Sequence, residues 1–106
     1  MQLRVIFTIV TILPLRSHAE SYGSEQWGEA TEEELAMDSL PQDPDADAAI
    51  LLHEGYFSPI GFTEYKRVKV FTRRGTQMAN VSIPVYFWEE VGNVKGFSVS
   101  PDGEQM

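Results

Sequence analysis

The sequence predicts a mainly β protein: an antiparallel, β-sandwich-like domain, incomplete at its C-terminal end, preceded by a signal peptide and a short N-terminal helix. Three observations carry this expectation. The second half alternates short apolar or β-branched runs with turn clusters at residues 58–61, 73–76 and 101–103, the pattern of strands joined by tight connections. Helical spacing is confined to residues 31–40, where Pro41 stops it. The first part of the chain, residues 1–19, has a composition unlike the rest.

Residues 1–19 read as a secretory leader. Arg4 gives a basic start, residues 5–15 (VIFTIVTILPL) carry no charge, and Ser17-His18-Ala19 supplies small residues before a cut. The apolar run is shorter than the roughly 20 residues that span a bilayer. The competing readings are a buried strand or an amphipathic anchor. Cleavage between Ala19 and Glu20 would send a mature chain to the periplasm or the extracellular space, with no membrane attachment left.

Residues 20–46 form an acidic arm with a short helix. Residues 20–30 are polar and aperiodic around one aromatic anchor, Trp27. Thr31 caps the helix with Glu34 at capping-box spacing, and Glu32, Glu33 and Glu34 suit its positive end. Leu35, Met37 and Leu40 are its apolar contacts. Residues 41–47 are a Pro/Asp hinge.

Residues 47–106 form the β domain, truncated at its C-terminal end. Its first strand is the apolar run 48–52, ended by Gly55. The second, residues 62–72, points Val68 and Val70 one way and Arg67 and Lys69 the other. The third is residues 81–87, with Pro84 implying an edge or a bulge. The fourth is residues 93–100. Pro101-Asp102-Gly103 is a hairpin turn that calls for a returning strand. A chain without that strand has an open edge, so self-association is expected.

Charge and cysteine content narrow the function. Residues 20–54 hold eleven acids and no Lys or Arg. The formal net charge is −8, which disfavours nucleic-acid partners. The basic residues between Lys66 and Arg74 read as the solvated face of one strand. With no cysteine, there is no disulfide staple, thiolate zinc site or lipid-anchored cysteine.

The residues also resemble a known family. The carriers are Trp27-Gly28, Thr31-Glu32-Glu33-Glu34-Leu35, and the run from Asp43 through Ala48-Ala49-Ile50-Leu51. With them go Lys66-Arg67-Val68-Lys69-Val70-Phe71-Thr72, Gly75, Ala79-Asn80-Val81-Ser82-Ile83-Pro84 and Pro101-Asp102-Gly103. In order and spacing they are similar to the bacterial exported family known as domain of unknown function 3857, which precedes transglutaminase-like domains. The resemblance covers about residues 27–103. It implies a β-sandwich-like architecture, export, and a supporting or binding role. It also implies that the rest of the domain and the catalytic Cys, His and Asp lie in a C-terminal remainder, the implied partner of this part. With no cysteine, no position here can inherit the nucleophile.

Tested for chemistry of its own, the chain offers little. Asp43, Asp45, Asp47 and Glu54 occupy calcium-loop spacings, but Ala48 stands where the loop requires Gly, and Pro41 and Gly55 interrupt the flanking helices. His53, the one histidine left after cleavage, has no nucleophile-elbow sequence to serve. Glu89 and Glu90 would point to opposite faces of a strand. Asn80-Val81-Ser82 is a glycosylation sequon only in a glycosylating host. No catalytic, metal or cofactor-binding residues are therefore assigned. The remaining candidates for ligand contact are Tyr86 and Trp88, on one face of an extended segment. The expected function is a non-catalytic exported scaffold or binding module. The alternative is a stand-alone carbohydrate- or peptide-binding β domain that uses Tyr56, Phe57, Tyr86 and Trp88.

Overall fold

In the computed structural model, which describes residues 4–14, 26–59 and 61–105, four strands form one antiparallel sheet. They are β1 (Arg4–Pro14), β2 (Ala48–Ser58), β3 (Gly61–Val70) and β4 (Glu89–Val99). Their order is β2-β3-β1-β4. β2 and β3 are a hairpin in register Phe57↔Phe62, and β1 pairs with β3 on one side and β4 on the other.

The apolar run read as a leader core thus occupies the interior of the sheet. The physical reason is composition. A charge-free run rich in Val, Ile and Thr is also what a strand covered on both faces requires. The expected cleavage pair, Ala19 and Glu20, lies outside the described residues.

Alternation along β1 sorts the two faces. Phe7 stands opposite Arg67 and Phe97, and Val5 opposite Lys69 and Val99. On this face Val5, Phe7 and Val99 form a buried cluster, with Trp27, Ala30, Leu35, Leu51 and Phe97 packed around it. Trp27 locks the arm down: its indole N–H donates to the Thr8 carbonyl at 2.9 Å, and its ring meets Phe7 and Phe97 edge-on.

The helix α1 (Glu32–Ala36) begins where expected. Thr31 accepts from the Glu34 amide, and the Glu34 carboxylate accepts from the Thr31 amide. It ends earlier than the expected residue 40. Met37 is already extended, because Asp38 and Ser39 are weak helix formers and Pro41 restricts Leu40.

The strand limits also shift. β2 runs through Gly55 to Ser58, because the bare Gly55 backbone admits the Phe62 ring, which would lie 2.8 Å from a Cβ there. β3 stops at Val70, because the Phe71 and Thr72 amides turn to donate to the Asp47 carbonyl at 2.9 and 3.2 Å. The 3₁₀ helix Arg74–Ala79 follows.

No strand forms at residues 81–87. Pro84 cannot donate to a ladder, and residues 81–84 lie instead against Val10, Ile12 and Phe62 on the sheet face opposite α1. β4 begins at Glu89, four residues before the expected start at Asn93. The 101–103 turn forms: the Gly103 amide donates to the Ser100 carbonyl at 2.9 Å, and a bridge pairs Val99 with Gln105. Among the described residues there is one open sheet, without the second sheet of a sandwich.

Candidate functional site: an exposed aromatic corner

The turn into β4 brings Tyr86, Phe87 and Trp88 together. The Glu89 amide donates to the Tyr86 carbonyl at 2.9 Å, and the Tyr86 amide donates to the Glu89 carboxylate at 3.1 Å. This reciprocal pair fixes the corner. The Tyr86 and Trp88 rings stack in parallel, 4.8 Å apart with 1° between planes. Phe87 stands edge-on to Trp88 at 4.8 Å. The sequence places Tyr86 and Trp88 on one strand face; the structure brings them together through a turn.

These side chains are open to solvent: 64 % for Tyr86, 88 % for Phe87 and 51 % for Trp88. Val81, Val85, Val91 and Val94, along the connection and β4, are also exposed. Glu89 and Glu90 add negative charge beside it.

Tyr56 and Phe57 do not join this corner. They belong to β2, at the opposite edge of the sheet from β4, about 14 Å away at about 4.8 Å per strand. Tyr56 packs edge-on to Tyr65 and its hydroxyl donates to Glu54. Phe57 lies on Phe62, with ring centres 4.7 Å apart, and is otherwise exposed.

The acids of the calcium-like spacing serve structural ends. Asp47 accepts from the Thr72 hydroxyl at 2.6 Å and pairs with Arg74 at 3.3 Å. Asp43 donates its amide to the Leu40 carbonyl. Among the described residues no three His, Asp or Glu side chains gather into a metal-holding group. His53 approaches the Glu64 carboxylate at 3.3 Å on the β2–β3 surface.

The basic stripe of β3 is the feature that sequence reading missed. Arg67 and Lys69 are buried rather than solvated. The Arg67 guanidinium donates to both oxygens of Glu34, at 3.0 and 3.3 Å, and to the Gln26 carbonyl. Lys69 Nζ donates to the Leu35 carbonyl at 2.9 Å, an end group of α1. Burial holds the Lys69 ammonium below its ordinary pKa, with Asp38 acting in the opposite direction. The available clue was charge complementarity between the acidic helix and this strand face. The acid-rich arm has to lie on something, and Arg67 and Lys69 are its counter-charges.

A concavity of about 380 Å³ opens between the arm, β4 and the 101–105 turn, lined in part by Ala30, Leu35, Phe97 and Val99. Among the described residues no helix is long and apolar enough to cross a membrane. No known protein family, curated protein or solved structure matches the chain.

Proposed function

We propose that this chain is a non-catalytic, exported β module, a scaffold or binding element, whose contact surface is the aromatic corner at Tyr86, Phe87 and Trp88. The observation that carries this reading is three adjacent exposed aromatic rings on one hydrogen-bonded turn. Scattered exposed apolar residues are ordinary, but contiguous ones mark contact surfaces. Aromatic anchors are also what binding surfaces are enriched in.

Two finer parts rest on the resemblance described above. A second β layer over the face opposite α1 would complete a sandwich. A following transglutaminase-like domain would then be the natural neighbour of the exposed valines. Export to the periplasm or beyond rests on the leader-like character of residues 1–19. The carboxylates of Glu89 and Glu90 beside the corner disfavour acidic partners.

The stacked geometry favours a second reading, a stand-alone carbohydrate- or peptide-binding domain. Parallel rings present a flat apolar face with a polar hydroxyl at one end, which suits the ring face of a sugar or an extended peptide.

Retention of the full chain on immobilised neutral oligosaccharides and apolar peptides tests the corner. Sugar retention supports the second reading, whereas peptide retention fits either. In either case Phe87→Ser/Trp88→Ala should lose at least tenfold in affinity with an unchanged melt. Equal retention of both proteins, or of neither, contradicts the assignment of the corner.

A further inference from the structure

Residues 5–14 answer two descriptions at once: they belong to the uncharged core of an export leader, 5–15, and to an interior strand of the sheet. On the reading that the chain is exported and cut after Ala19, on which this inference rests, cleavage severs β1 from the rest of the sheet. We propose that the gap between β3 and β4 is then a strand-accepting site, filled by an extended, uncharged, β-branched segment of a partner chain.

The argument starts from the pairing. β3 and β4 are not hydrogen-bonded to each other; each is bonded to β1. Losing β1 leaves two facing strand edges about 10 Å apart, at about 4.8 Å per strand spacing. Both edges present backbone N–H and C=O groups that need partners. Because β1 is antiparallel to both neighbours, one strand running in its direction satisfies both edges. Ordinary edge augmentation satisfies only one.

The side chains specify the occupant. On the arm side the site is lined by Trp27, Phe97, Val99 and Leu35. It takes large apolar groups where Val5 and Phe7 stand, and Phe7 stacks on Phe97 at 4.4 Å. Further along, Thr11 faces Thr63, hydroxyl to hydroxyl at 3.4 Å, so a small polar group fits there. The indole of Trp27 offers its N–H to a backbone carbonyl of the occupant. On the other face Val68 and Val70 are buried alongside Val10. Arg67 and Lys69 also flank the gap on the arm side, opposite Phe7 and Val5, and already engage Glu34 and the Gln26 and Leu35 carbonyls, so an uncharged strand adds no further buried charge to this face. A one-residue slip would exchange the two faces and put Thr8 where Phe7 stacks.

The test uses the full chain with a protease site introduced between Ala19 and Glu20. The folded protein is cut, the fragments are separated in denaturant, and residues 20–106 are refolded with or without a synthetic peptide of residues 4–14. The peptide stands in for the partner strand. The expected result is loss of the cooperative melt without peptide and its return at one peptide per chain. Hydrogen-exchange protection in β3 and β4 should return with it. A peptide of the same composition with its alternation shifted by one residue should bind at least tenfold more weakly. The proposal is overturned if residues 20–106 melt like the uncut chain without peptide, or if both peptides bind equally. It is also overturned if that fragment dimerises with no gain from peptide. The export reading is judged separately, by the mass of the chain recovered from the exported fraction. An uncleaved exported chain removes that reading whatever the peptide does.

Discussion

Lys69 shows how one buried charge ties the N-terminal arm to the sheet. Its ammonium has left water to donate to the Leu35 carbonyl, so folding favours its neutral form and lowers its pKa. The sign follows from proton binding. Between the lowered folded value and the ordinary 10.5, the unfolded chain binds more protons than the folded one, so stability rises with pH through that window. Below it both states are charged and the folded state bears the cost of burial. Chemical denaturation across the alkaline range should therefore show wild type gaining stability relative to Lys69→Met as pH rises. A constant difference between the two would mean that the ammonium is solvated. Arg67 carries the same link at a neighbouring position with better geometry. Its two bonds to Glu34 are the bidentate kind that a guanidinium makes and an ammonium cannot.

At the scale of elements, the open end of the β2–β3 hairpin shows why some boundaries moved. The Asp47 carbonyl accepts the Phe71 and Thr72 amides, which closes β3 and starts the turn. Gly75 passes so close that a Cβ would lie 2.1 Å from the Asp47 oxygen, whereas a Cβ at Gly28 would meet nothing within 4 Å. Gly75→Ala should cost about 2 kcal/mol, typical of forced overpacking, and Gly28→Ala close to nothing. Paired urea melts of the two variants check this; equal effects would mean that the Asp47 contact is not present in solution.

The same elements show what was legible in advance. The capping box at Thr31 was, because it is a local pattern of two residues. The hairpin β2–β3, the 101–103 turn and the existence of β4 were also legible from alternation and turn chemistry. The loss of a strand at residues 81–87 was not, although Pro84 pointed that way; residues 81–84 lie against the sheet without joining it, and Val85, Tyr86 and Phe87 stay exposed. The burial of Arg67 and Lys69 was hidden too, because alternation shows that they share a face and not what lies over it. At the candidate site, spacing placed Tyr86 and Trp88 on one face of a strand, whereas they stack across a turn. The exposure of Phe87 beside them depended on a turn replacing the strand.

For the whole molecule, everything depends on the identity of residues 4–14. As β1 they join the β2–β3 hairpin to β4, hold Trp27 and supply Val5 and Phe7 to the buried cluster. As a leader they would be discarded. The sequence could not decide between these roles, because a leader core and an interior strand call for the same uncharged, branched residues. The direct test is hydrogen exchange on the uncut chain. The account predicts that amides of residues 5–12 are among the slowest to exchange and open together with those of residues 62–70 in β3. Fast exchange throughout residues 5–12, with β3 still protected, would contradict it.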